Sequence, residues 1–201
     1  HVGTDEDMRV TVTVDKEKKE LRISDTGIGM TDDEVRRYIN QVAFSSAEEF
    51  MKNYQGDKGE EKADIIGHFG LGFYSVFMVS DQVEIDTLSY PEGAKPVHWV
   101  SADGMDFEMS EGARTEHGTT ITLHVSDEEK EFLETYRVRE VLNRYCGYMN
   151  APIYLEDANA KPVEREVPVE GEKNEDGSQK MEKVSEMPKP TLINEVAPLW
   201  L

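Results

Sequence analysis

Met8, Val10, Val12 and Val14 alternate with Arg9, Thr11 and Thr13, the period-two pattern of a strand with one buried face. A charged run from Asp15 to Glu20 separates it from Leu21 and Ile23, so the pair predicts a hairpin. Thr31 and Glu34 have capping-box spacing, and Val35, Tyr38, Ile39 and Val42 then lay an apolar stripe on a predicted helix. Ser46 and Glu49 repeat the box before Phe50, Met51 and Tyr54; a polar loop follows over 55–62, then a very apolar helix over 73–79. Strands are predicted over 82–89, 97–101, 107–109 and 119–125. A third box, Ser126 to Glu129, opens a helix bearing Phe132, Leu133, Tyr136, Val141, Leu142 and Tyr145, and Ile153-Tyr154-Leu155 predicts a last strand.

Strands that return by hairpins, with helices between some of them, imply an α+β fold: a two-layer α/β sandwich whose mixed, mostly antiparallel sheet carries helices on one face. The pattern divides the chain into a domain over 1–156, a charged, Pro- and Gly-containing stretch without apolar period over 157–190 that reads as a flexible linker, and an apolar start of a further domain over 191–201. No apolar run approaches the ~20 residues of a membrane helix, and no internal repeat is visible.

Charge narrows the function. Across 201 residues the net charge is −20, which repels nucleic-acid phosphates. Such a chain must bind a polyanion locally, through main-chain N–H groups and a metal, rather than through a basic patch. The single cysteine, Cys146, excludes an internal disulfide and fits a reducing compartment; late in a helix, it reads as a small buried apolar side chain.

Three segments can carry chemistry. Asp25 follows directly on a strand and precedes Thr26-Gly27-Ile28-Gly29-Met30; the glycines let the chain turn beneath a carboxylate that faces a pocket, where it would accept a hydrogen bond from an exocyclic amine. The same residues also suit a plain Asp-Thr-Gly turn. Gly67-His68-Phe69-Gly70-Leu71-Gly72 leads into a predicted helix, so its main-chain N–H groups and the helix dipole would favour an anion. It lacks the Lys-Ser/Thr ending of a Walker loop and reverses the glycine spacing of a dinucleotide fingerprint, and a glycine-rich connection packed on a helix is its plainer reading. Gly118-Thr119-Thr120-Ile121-Thr122 is, alone, an ordinary strand start.

Taken in order, these three segments resemble the GHKL (Bergerat-fold) nucleotide-binding superfamily, which holds DNA gyrase B, MutL, sensor histidine kinases and the heat shock protein 90 chaperones. Two longer stretches, 23–31 and 65–75, are similar to the heat shock protein 90 signatures in particular, of the bacterial type. The resemblance covers about 8–155, and Pro198-Leu199-Trp200 looks like the entry to that family's middle domain. It implies an ATP-dependent chaperone of the cytoplasm, an ATPase acting on unfolded client proteins as a homodimer, with ATP/ADP and Mg2+ as cofactors and with no nucleic-acid or membrane partner. Residue by residue, it implies that Asp25 accepts the adenine N6 amine with Thr119 joining through an ordered water. Gly29 and Met30 would line the base pocket, Gly70, Leu71, Gly72 and Phe73 would present N–H groups to the phosphates, and residues 41–66 would be a lid.

The chain departs from the family pattern in places. Phe44-Ser45-Ser46 stands where the lid commonly has a lysine before Ser-Gly, and Tyr38 replaces a frequent asparagine. The family's general-base Glu and magnesium-holding Asn lie on a helix before the first strand, and nothing upstream of Met8 reads as that helix. No catalytic residue and no metal ligand is therefore assigned, and a front-truncated fragment with little or no ATP hydrolysis is expected. The other readings are a different GHKL ATPase (a histidine kinase, or a topoisomerase or MutL type) and an acidic interaction module whose glycine loops are only turns.

Overall fold

The chain was described by a computed structural model over residues 8–40, 73–147, 149, 151–173 and 177–194. The alternation at the front does what its period requires. Val10–Asp15 (β1) and Glu20–Asp25 (β2) pair antiparallel from Val10 opposite Asp25 to Asp15 opposite Glu20. Between them Lys19 takes a positive φ of 56°, and the Asp15 carboxylate accepts the Lys18 N–H at 3.1 Å, closing the turn.

Ser80–Leu88 (β3), Val97–Ser101 (β4), Phe107–Glu111 (β5), Gly118–Val125 (β6) and Ile153–Asp157 (β7) follow. With Thr191–Leu192 (β10) they form an eight-stranded sheet in the order β10-β7-β1-β2-β6-β3-β4-β5. All neighbours are antiparallel except β1 and β7, which run parallel. The sheet is mixed and mostly antiparallel, as expected.

Its apolar face carries two buried clusters that share Leu21 as a packed neighbour. Val83, Ile85, Val97, Trp99 and Leu123 form one buried cluster with Val35, against which Phe73, Val76, Phe77 and Val79 pack. Val12, Val14, Ile153 and Leu155 form the second with Val138, joined by Leu142 and Cys146. Every one of these strand residues alternates with a polar one, so the helices lie on one face and the other face carries Thr, Glu, Arg, Asp and His.

The helical segments depart from the predicted pattern. Thr31 caps Asp32–Glu34 (α1) with both halves of the capping box made, but the chain then continues as a π-helix over Val35–Asn40. That wider spiral turns Val35 and Ile39 to the core and leaves Tyr38, counted in the stripe, 52% exposed. The helix predicted over 73–79 is a single 3₁₀ turn, Tyr74–Met78. The third predicted helix is two pieces: a 3₁₀ segment, Asp127–Leu133, and the α-helix Thr135–Cys146 (α2), separated by the extended Glu134. Ser126 makes no cap there and its hydroxyl instead reaches the Val79 carbonyl at 3.5 Å. The buried Val138 and the half-buried Leu142 and Cys146 supply the inward i, i+4, i+8 stripe of α2, while the predicted Tyr136 and Tyr145 are 71% and 70% exposed.

Residues 157–190, expected as a flexible linker, contain two strands. Val163–Lys173 (β8) and Gln179–Glu186 (β9) form an antiparallel two-stranded ribbon. Hydrophobic period is blind to it because the ribbon buries nothing: its described side chains are nearly all exposed. Main-chain pairing and cross-strand charge hold it, with Glu166 opposite Lys183 and Arg165 bonded to Glu186 at 3.0 Å. Gly171 and Gly177, at φ of 81° and 83°, supply the irregularity and the turn. Nor do residues 191–194 leave the sheet. Asn194, buried, accepts the Ile153 N–H at 2.8 Å and donates to the Met149 and Ala151 carbonyls at 2.8 and 2.9 Å, fastening β10 to β7. Among the described residues no helix is long and apolar enough to cross a membrane.

Candidate functional site

Asp25 is the last residue of β2, and its cross-strand partner on β6 is Thr119, whose own partner on β3 is Thr87. Asp25 shares the inward parity of Leu21 and Ile23, so carboxylate and both hydroxyls stand in a row on the helix-bearing face at one end of the sheet. Thr87 is fully buried and Thr119 nearly so. Their hydroxyls lie 3.0 Å apart, and Thr87 also donates to the Gly118 carbonyl at 3.2 Å.

The turn after β2 is built onto this row. One Asp25 oxygen, Oδ1, accepts the Gly27 N–H at 2.8 Å; among the described residues its second oxygen has no hydrogen-bond partner. Gly29 sits at φ 64°, and a Cβ there would overlap the Leu88 carbonyl. Only glycine lets the turn lie this close to β3. The next residue, Met30, donates its N–H to the Thr87 hydroxyl at 2.9 Å, and Tyr90 donates to the Ile28 carbonyl at 2.9 Å. The turn is thus pinned on both sides of Gly29.

A second clamp comes from the segment before β6. Arg114 donates to the Asp25 carbonyl at 3.1 Å and to the Thr120 hydroxyl at 2.6 Å. His117 Nδ1 donates to the Gly27 carbonyl at 2.6 Å. Gly118, at φ 119°, packs where a Cβ would strike the Asp25 carbonyl. The main chain around the acid is therefore over-determined, while among the described residues one carboxylate oxygen has no hydrogen-bond partner.

The residues singled out in the sequence divide accordingly. Asp25, Gly29, Met30 and Thr119 come together at the end of β2, β6 and β3. Phe73 lies in the apolar layer, edge-on to Trp99 at 6.0 Å and to Phe77 at 6.1 Å. Gly67, Gly70, Leu71 and Gly72, and all of 41–66, lie outside the described residues. Tyr38 points to solvent, and the neighbouring polar side chain that turns inward is Asn40, which accepts the Trp99 Nε1–H at 2.8 Å.

Thr87, Arg114 and His117 were missed. Thr87 had a signal: Val83 and Ile85 set an inward parity on which position 87 is the odd hydroxyl, and an inward hydroxyl in an apolar row needs a partner. Arg114 and His117 had none, since their roles depend on how the loop before β6 folds back across β2.

Residues 6–128 match the family described as histidine kinase-, DNA gyrase B-, and HSP90-like ATPases. The chain belongs to this family. It is similar to the chaperone protein HtpG of Porphyromonas gingivalis, at 44% identity over 151 residues, covering 75% of this chain and 22% of that protein. HtpG of Bacteroides fragilis is 41% identical over 193 residues, 95% of this chain and 25% of that protein. HtpG of Shewanella halifaxensis is 38% identical over 161 residues, 80% and 25% of the two chains. The chain thus spans about a quarter of the length of the curated relatives it matches. The family match ends near β6, whereas the Bacteroides fragilis match takes in nearly the whole chain, so that similarity extends past the sheet's central strands.

Proposed function

We propose that this chain is the adenine-nucleotide-binding part of an ATP-driven chaperone of the HtpG type. The observation that carries the reading is the row Asp25, Thr119, Thr87 beside the Gly29 turn. An anchored carboxylate with one open oxygen next to a buried hydroxyl suits a flat ligand that presents an amine, such as the N6 group of adenine. Gly29 lets the turn lie against β3, which sets Met30 where it would supply an apolar contact for the base. The family match supports ATP as the nucleotide.

In this reading the protein's work at the base is binding and orientation. Asp25 accepts the amine hydrogen; Thr119 holds an ordered water between base and carboxylate; Thr87 fixes both the Thr119 hydroxyl and the Met30 N–H. The triphosphate would be gripped by main-chain N–H groups of Gly70, Leu71, Gly72 and Phe73, with Mg2+ neutralising its charge. None of the described residues around Asp25 is assigned to that metal, and no catalytic base is assigned. Hydrolysis, closure of residues 41–66, homodimerisation and client binding are proposed for a chaperone of the relatives' full length, and little turnover is proposed for this chain, in which no catalytic base is assigned.

The test is calorimetric titration of ADP into wild type and Asp25→Asn. Losing a charged acceptor worth roughly 1.5–3 kcal/mol weakens binding about 10- to 150-fold. Equal affinities, with both proteins folded by circular dichroism, would remove Asp25 from the site and the reading with it.

A further inference from the structure

The sheet face away from the helices carries a second cluster, which the nucleotide reading does not use. Glu84 and Asp86 alternate with Val83 and Ile85 on β3, so they point to the opposite side from the core. His98 on β4 and His124 on β6 share that side by the same parity. Register places Asp86 directly opposite His98, and Gln82 and Glu20 opposite His124. One donor atom from each of Glu84, Asp86 and His98 lies within 4.8 Å of the others. His98 Nδ1 is 2.9 Å from an Asp86 oxygen, and His124 Nε2 is 3.1 Å from a Glu84 oxygen.

Two features separate this cluster from an ordinary charged surface. The four side chains are only about one-third exposed, from 28% to 35%. Among the described residues no lysine or arginine pairs with Glu84 or Asp86. On the same face, Arg22 is turned to Glu20 at 3.3 Å and Asp15 at 3.9 Å, and Arg114, which reaches the Thr120 hydroxyl at 2.6 Å on the strand next to Asp86, bonds only hydroxyl and main-chain oxygens. Two adjacent carboxylates therefore repel each other on a rigid sheet, with imidazoles as their partners, in a chain of net charge −20. A divalent cation relieves that repulsion.

We propose that Glu84, Asp86 and His98 form a site for a zinc-class divalent cation. Zn2+ replaces the hydrogen between His98 Nδ1 and the Asp86 oxygen and takes one oxygen of Glu84. The required contacts are about 2.0–2.2 Å to nitrogen and carboxylate oxygen, and donor atoms already within 4.8 Å of one another close on the ion by side-chain rotation. His124 holds the Glu84 carboxylate by a hydrogen bond, the outer-shell support usual for metal-bound carboxylates. Water fills the fourth position. The imidazole nitrogen selects Zn2+, Co2+ or Ni2+ over Mg2+, which prefers oxygen donors and keeps its waters. The site lies on the other side of the sheet from Asp25 and is separate from any metal that accompanies nucleotide.

The experiment is titration of Zn2+ alone, without nucleotide, into the chain in competition with a chromophoric chelator, with Co2+ absorption as a second readout. Wild type should bind one Zn2+ that depends on His98, and Co2+ should give the visible d–d bands of a low-coordinate nitrogen–oxygen site. His98→Ala and Asp86→Asn should each weaken Zn2+ at least tenfold and abolish those bands, and His124→Gln should weaken it less. His117→Gln, whose imidazole lies elsewhere, should leave it unchanged. Circular dichroism checks the fold of each variant, and the Asp86→Asn arm stands if His98→Ala does not fold. No binding by wild type, binding indifferent to both His98→Ala and Asp86→Asn, or equal loss in His117→Gln would each overturn the site.

Discussion

Replacing Gly29 by alanine tests the packing of the turn against β3, and the protein contains its own control. Alanine at φ 64° carries a conformational cost of about 1–2 kcal/mol. Its Cβ would in addition overlap the Leu88 carbonyl, which belongs to a central strand and cannot retreat. The turn must shift instead. That movement strains the Met30 to Thr87 and Tyr90 to Ile28 hydrogen bonds, both 2.9 Å, each worth about 0.5–1.5 kcal/mol net. Together these give a loss of roughly 2–5 kcal/mol, a large part of the stability of a domain this size. Gly93 has a similar φ of 83° with nothing near its absent Cβ, so Gly93→Ala should show the conformational cost alone, about 1–2 kcal/mol. Urea unfolding followed by far-ultraviolet circular dichroism measures both. If the two variants lose the same stability, the close approach of Gly29 to Leu88 is not a feature of the folded protein. Gly29→Ala should also weaken ADP binding, since Met30 moves with the turn.

Three further outcomes follow from buried polar groups. Thr87→Val keeps the shape but strands the Met30 N–H and removes a partner of Thr119, and should cost about 1–3 kcal/mol by urea unfolding, with an accompanying loss of ADP affinity; a neutral result would refute Thr87 as the pin of the turn. Asn194→Ala removes three hydrogen bonds between β10 and the segment leading into β7, and should cost roughly 2–4 kcal/mol. An unchanged melting curve would mean that the sheet ends at β7. Burial raises the Asp15 carboxyl, but hydrogen bonds from the Lys18 N–H and Asn159, with the positive charges of Arg22 and Lys18, outweigh it and hold the group below its ordinary 3.8. A carboxyl lower in the folded than in the unfolded state adds stability above its unfolded pKa and loses it as pH falls. The stability gap between wild type and Asp15→Asn should therefore shrink from about pH 6 to about pH 3, and a gap independent of pH would contradict the assignment.

Strand positions and the inward face were legible because period two is a local property: once one residue faces the core, its neighbours' sides follow. The strands over 82–89, 97–101 and 119–125 were located from that pattern to within two residues at their starts and ends. The acid at the end of β2 and its two glycines were legible as a motif, because a carboxylate and a tight turn announce themselves in a few residues. Helical type was less so. Capping-box spacing marked where α1 begins at Thr31, but whether the chain continues as α, π or 3₁₀ depends on the layer beneath, as Tyr38 and the break at Glu134 show.

Sequence alone determined which side of each strand is apolar and where an acid meets a flexible turn, since both are set within a few residues. Only the tertiary structure decided that Asp25, Thr119 and Thr87 stand in one row, that Gly29 lies on Leu88, and that Glu84, Asp86, His98 and His124 meet on the far face. It likewise decided that 163–186 pairs with itself and that 191–194 closes the sheet. Those relations join residues up to about a hundred positions apart, through register and main-chain hydrogen bonds that leave no periodic trace in side-chain chemistry.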